Sequence, residues 1–147
     1  MKISSVKWLA IVAVLALGGC GGMKDMMPAW MPGSGAVSVN LSGSEEVPPA
    51  DTTGSGSGSF RVADDGSISG AVTTTGVEGT AAHIHMAAKG QNGGVIVPLA
   101  KNGDTYSVPE GKKLTDAQMQ AFKAGNLYVN VHSARYKGGE VRAQLQP

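Results

Sequence analysis

The chain of 147 residues contains three histidines, and their spacing is its strongest chemical signal. His83 and His85 form a His-x-His pair in a segment that reads as a strand, and His132 ends a second such segment, 127–132. Alternate residues on one face of a strand lie roughly 6.5–7 Å apart, so two imidazoles at that spacing can converge on one ion about 2 Å from each nitrogen. A third imidazole from a neighbouring strand would leave one coordination position open, as in catalytic rather than closed structural metal sites. With no cysteine competing as a ligand, an all-nitrogen set suits Cu(II) or Zn(II). Intrinsic affinity favours copper, with zinc as the alternative.

Parity gives the direction of these side chains. Ala82, Ile84 and Met86 share the apolar face of the first segment, so His83 and His85 point the other way. In the second, Leu127, Val129 and Val131 point inward and Tyr128, Asn130 and His132 outward. The plainer alternative is three ordinary surface histidines. What the strand pattern leaves open is whether the two segments are neighbours.

Four further residues are candidates for supporting the site. Tyr128 and Asn130 share the face of His132, and metal-bound imidazoles usually donate their other nitrogen to an acceptor. Arg142 lies on the face opposite Val141 and Ala143, together with Glu140 and Gln144, which are expected to face water. Glu46 is expected to be a hydrogen-bond partner of backbone or Arg142 rather than a ligand or base, because adjacent Glu45 and Glu46 point apart and glycosidic chemistry needs opposed carboxyls. The run 90–94, Gly-Gln-Asn-Gly-Gly, precedes a strand rather than a helix, so it reads as a turn and not as a phosphate loop.

The elements that must hold these residues are strands. Glycine (22) and proline (7) make up near a fifth of the chain and aromatics only 5%, a composition that interrupts helices and supplies turns. Apolar residues recur at a spacing of two from Ala36 onward: Val37, Val39 and Leu41, then Phe60 and Val62, then Ile68 and Val72. Segments 81–86, 95–99, 105–108, 126–132 and 140–146 read as further strands, about eight in all. Asp64-Asp65-Gly66 and Asn102-Gly103 mark tight turns. One segment breaks the pattern: Thr115 with Gln118 forms a capping box, Gly125 ends the helix, and Leu114, Met119 and Phe122 would staple it to the core. The expected fold is all-β, a two-sheet Greek-key sandwich of about eight strands with one short helix.

Residues 1–19 carry Lys2, Lys7, a short apolar core and small residues, and read as a secretory signal whose core is too short for a permanent span. Leu17-Gly18-Gly19-Cys20 resembles the bacterial lipobox, which implies lipidation of Cys20, a membrane anchor and a cell-envelope location. Gly21 in place of Asp favours the outer membrane, facing the periplasm. An unprocessed anchor is the alternative. Residues 20–35 read as a tether, and the thioethers of Met23, Met26, Met27 and Met31 are soft enough to be weak Cu(I) ligands, the alternative being a flexible linker. Residues 36–147 form the expected domain. Charged residues are 16% and the net charge is +1, which offers no basic field for nucleic acid, and no patch names a protein partner.

Four ordered blocks carry a family resemblance: Leu41-Ser-Gly-Ser-Glu-Glu-Val-Pro-Pro49, Ala81-Ala-His-Ile-His85, Gly125-Asn-Leu-Tyr-Val-Asn-Val-His132 and Gly138-Gly-Glu-Val-Arg-Ala-Gln-Leu145. From about Ala36 to Gln146 they resemble the CHRD domain, a family whose name implies little about activity. More distantly, Glu-Val-Pro-Pro, then Gly-x-x-Gly-x-x-x-His-x-His, then Val-His followed by Gly-Gly resembles the Cu/Zn superoxide dismutase sandwich. That likeness implies copper ligands at His83, His85 and His132. It departs from the family in having no further histidine to bridge to zinc and one cysteine only, which excludes the usual binuclear site. The family's substrate-guiding arginine lies after a Gly-rich turn, and Arg142 is in a comparable region, but the segment from His132 is shorter and Arg142 sits one position out of register with the Gly-Gly.

The expected function is copper binding or handling at a mononuclear three-histidine site in the cell envelope. The rivals are a superoxide dismutase-like redox enzyme and a metal-free interaction module. Catalytic residues are not identifiable from the sequence.

Overall fold

The structure, a computed structural model, describes residues 35–147. The expected signal segment 1–19 and all but the last residue of the expected tether, with Cys20, Met23, Met26, Met27 and Met31, lie outside the described residues. Among the described residues, no helix is long and apolar enough to cross a membrane.

The fold is all-β. Among the described residues nine strands follow in the order β1 (Ala36–Ser42), β2 (Ser55–Val62), β3 (Ile68–Thr75), β4 (Gly79–Met86), β5 (Gly94–Pro98), β6 (Ala100–Asn102), β7 (Thr105–Ser107), β8 (Leu127–Ser133) and β9 (Val141–Leu145). One α-helix among the described residues, α1 (Asp116–Lys123), bridges β7 and β8, and Gly43–Glu45 form a 3-10 turn after β1. It starts as its sequence dictates: Gln118 N donates to Thr115 Oγ1 at 3.3 Å and Thr115 N donates to Gln118 Oε1 at 2.9 Å, satisfying two otherwise orphaned donors. It ends at Gly125, whose φ of +72° no β-branched residue tolerates comfortably. Leu114, Met119 and Phe122 are buried and fasten it to the core.

The expectation of two separate sheets needs correction. Hydrogen bonding runs through one antiparallel, barrel-like sheet, in the order β5-β4-β8-β9-β1-β2-β3-β7-β6. The joint lies between β9 and β1, where only Ser42 and Arg142 are paired. One short strand more than expected is present, because β6 separates from β5 beyond Pro98 and pairs with β7 across the Asn102-Gly103 turn. At the other margin, Leu99 N donates to Ala82 O at 3.0 Å, drawing the chain between β5 and β6 back onto β4. The alternating apolar residues fill the enclosed space: Val37, Val39, Leu41, Phe60, Val72, Ile84, Val129, Val131 and Leu145 belong to one core.

Parity is right for β8 and β9, yet outward does not mean exposed here. Tyr128, Asn130 and Arg142 are buried, as is Glu140, and Gln144 is half-buried. The loop between β4 and β5 and the segment following Gly43–Glu45 lie over this outer face, so both sides of β8 are covered. Glu140 accepts from Thr52 Oγ1 at 2.7 Å, and Gln144 donates to the carbonyls of Ala87 and Gly125, instead of facing water.

Candidate metal centre

Strand pairing brings the histidines together. β4 and β8 are antiparallel neighbours, with His83 opposite Asn130, His85 opposite Tyr128, and Ala81 opposite His132. The two segments that parity alone left unpaired therefore present their outward histidines on one patch. One ligand nitrogen from each of His83, His85 and His132 lies within 4.8 Å of the others. His83 Nδ1 and His132 Nε2 are 3.0 Å apart. Two nitrogens bound at about 2 Å to a tetrahedral ion are separated by about 3.3 Å, so this pair already stands close to a shared-ligand spacing.

Two backbone carbonyls set the ring orientations. His85 Nδ1 donates to Gly93 O at 3.0 Å and His132 Nδ1 donates to Lys137 O at 2.9 Å. A carbonyl can only accept, so in the neutral rings Nδ1 carries the proton and Nε2 keeps its lone pair. His85 Nε2 is buried and has no hydrogen-bond partner. A buried acceptor left without a donor carries a desolvation cost, and a metal ion would remove it. His83 Nδ1, facing the His132 lone pair, holds a proton it can exchange to Nε2 when an ion arrives. Burial, then the neighbouring imidazoles His132 and His85, hold His83 below the ordinary imidazole range; His85 is also lowered, chiefly by burial. Both effects favour the neutral rings that metals need.

The supporting residues form two groups behind the patch. His85 stacks on Tyr128, with centroids 4.8 Å apart and planes 3° from parallel, and the Arg142 Cζ stands 3.5 Å from the centre of the same ring. Because β4 and β9 flank β8 on opposite sides, imidazole, phenol and guanidinium follow one another across the sheet. Arg142 also donates to Gln91 O at 2.9 Å and Asn92 Oδ1 at 3.3 Å, while Gly93 N donates to the Tyr128 hydroxyl at 3.1 Å. The loop that supplies the carbonyl for His85 is thus held from beneath. Gln91, Asn92 and Gly93 are contributors that sequence reasoning passed over as a turn. Their signal is their short distance in sequence from His-x-His, not their side-chain chemistry.

The second group is Glu46 with Asn130. Glu46 is 4% exposed, and burial raises its carboxyl to about 7, against the opposing influence of the Asn130 amide, the Arg142 guanidinium and the Val47 backbone. Its Oε1 and the Asn130 Oδ1 have no hydrogen-bond partner. Asn130 Nδ2 donates to Gly138 O at 3.3 Å. The Gly139 backbone lies against both side chains, and a Cβ there would collide with Glu46 Oε1 and Asn130 Nδ2. Glu46 is therefore absent from the histidine cluster and belongs to its support.

Arg142 is 1% exposed and covered by the 91–92 loop, so it cannot meet a solute arriving from solvent. The substrate-guiding role implied by the superoxide dismutase likeness does not fit this burial. No curated protein sequence and no solved structure matches the chain. Residues 37–145 match the CHRD domain, across all the strands and carbonyls that build the histidine patch, and the chain belongs to the CHRD-domain family.

Proposed function

We propose that this CHRD protein binds a single copper ion through His83, His85 and His132, in copper binding or handling at the cell envelope. The observation that carries the reading is the convergence of three ligand nitrogens within 4.8 Å, with His85 Nε2 buried and unpartnered among them. Imidazole donors suit Cu and Zn, and affinity orders copper above zinc at such a site. His85 Nε2 and His132 Nε2 are the donors left for the ion once the Gly93 and Lys137 carbonyls have taken the two Nδ1 protons, and His83 Nδ1, 3.0 Å from His132 Nε2, would join them once its proton has moved to its own Nε2. An envelope location rests on residues 1–20, whose charged start, short apolar core and lipobox-like end support export and lipidation of Cys20. The thioethers at 23, 26, 27 and 31 would suit the transfer of Cu(I) toward or from the domain.

The test is Cu(II) titration followed by electron paramagnetic resonance. Wild type is expected to take up one equivalent with a nitrogen-ligated spectrum, and His83→Ala, His85→Ala and His132→Ala each to lose it. Equal weak binding by wild type and the three variants would end the proposal. A redox enzyme is the second reading, favoured by one observation: His83 and His132 are only half-buried, so the position left by three ligands opens toward solvent. Superoxide dismutation by the copper-loaded protein above that of free copper, lost in His132→Ala, is the outcome that would select it.

A further inference from the structure

Arg142 is an anomaly that the histidine centre does not itself explain. A guanidinium 1% exposed normally meets a carboxylate. Among the described residues Arg142 makes no ion pair, and its acceptors are neutral: Gln91 O at 2.9 Å, Asn92 Oδ1 at 3.3 Å and Gln144 Oε1 at 3.4 Å. Glu46 feels the guanidinium but forms no ion pair with it, and burial raises its carboxyl to about 7. The face of the guanidinium lies on Tyr128, and the same ring carries His85. One fixed positive charge is thus buried a single aromatic ring away from a ligand of the metal centre.

We propose that Arg142 is a specificity-determining residue that biases the three-histidine centre toward monovalent over divalent ions. The inference rests on the metal-binding reading above. The three imidazoles are neutral ligands and compensate no charge. Electrostatic repulsion scales with the charge of the ion, so a buried cation penalises a dication twice as much as a monocation at the same place. Burial keeps salt and water from screening it. In this family member the centre is therefore matched to Cu(I), the less charged form of the expected metal.

The probes are Cu(I), kept anaerobic, and Zn(II). Both are d10 ions, so ligand-field preference is absent, and their difference in softness is common to wild type and variants, which leaves charge as what the change in ratio reads. Affinities are read by competition with chromogenic chelators at one fixed pH, using the full chain as wild type, Arg142→Gln, Arg142→Lys and Asn92→Asp. Arg142→Gln is expected to raise the ratio of Zn(II) to Cu(I) affinity by on the order of tenfold. Arg142→Lys keeps the charge and is expected to leave the ratio at its wild-type value even where it weakens both ions. Asn92 is exposed and its Oδ1 accepts from Arg142, so Asn92→Asp puts a carboxylate on the guanidinium while giving up the Asn92 Nδ2 bond to Val47 O, and the ratio should rise as in Arg142→Gln. Equal weakening of both ions in Arg142→Gln, or a ratio unmoved in Asn92→Asp, overturns the proposal. A wild-type chain that binds neither ion would instead overturn the histidine centre itself.

Discussion

Glu46→Gln should change how the stability of the fold depends on pH. Glu46 is 4% exposed and its carboxyl is raised from 4.5 to about 7, with burial as the leading cause. A group that binds its proton more tightly folded than unfolded makes the native state the greater proton binder between those two values, so stability falls as pH rises through that window. The shift corresponds to a loss of about 3 kcal/mol between pH 4.5 and 7. For a domain of this size that is roughly 10–15 °C in Tm. Three other groups act differently. The lowered values of His83 and His85 give the opposite slope below 6.5. Asp65, lowered by its Lys113 and Ser67 partners, supports stability that is lost only as pH falls below 3.8. The comparison of wild type with Glu46→Gln cancels all three. Gln stands in for the protonated acid, so the two proteins should be similar near pH 4.5, and the variant should become progressively more stable than wild type up to pH 7.5. Thermal or urea unfolding, recorded with chelator present to exclude metal, is the assay. Parallel pH curves for the two proteins would refute the argument that a buried carboxyl is being ionised.

Four further outcomes are expected. Gly139→Ala should destabilise the domain by roughly 1–3 kcal/mol in urea unfolding, because φ is +134° and the added Cβ meets Glu46 and Asn130. Thr115→Ala removes the acceptor for Gln118 N and should cost about 1 kcal/mol, with metal affinity unchanged in the same samples. Tyr128→Phe removes the acceptor for Gly93 N but keeps the ring beneath His85; metal affinity should weaken within the about 10–100-fold range of outer-shell changes, while one-to-one binding persists. Saturating metal at about 100 times its Kd should stabilise wild type by about 2.7 kcal/mol and leave the melting of His132→Ala unmoved.

The all-β class was legible because burial on one side of a strand imposes a period of two, which Val37, Val39 and Leu41 display without help from distant residues. The helix was legible for a similarly local reason: Thr115, Gln118 and Gly125 satisfy its ends from within ten residues or so of chain. The joining of the strands into one sheet was not, because the β9–β1 joint depends on one pairing, Ser42 with Arg142, that no local pattern encodes. At the candidate site, the three histidines and their outward parity could be read from residue type and alternation. The partners of their other nitrogens could not, since Gly93 and Lys137 act through backbone carbonyls that every residue possesses.

Burial of the supporting residues shows the same boundary more sharply. Alternation correctly set Tyr128, Asn130 and Arg142 on the face opposite the core, and expected that face of β9 to meet water at Glu140 and Gln144. Only the folded loop 87–93 and the segment 46–50 make it an interior, because covering a face requires chain that returns from elsewhere. Sequence alone thus determined which imidazoles exist and which way they point. Tertiary structure decided that they share one patch, that Arg142 is buried beside it rather than open to solvent, and that Glu46 is shut away with its oxygen unpartnered. Side-chain direction is local geometry, whereas proximity, desolvation and charge environment belong to residues the chain brings together only by folding.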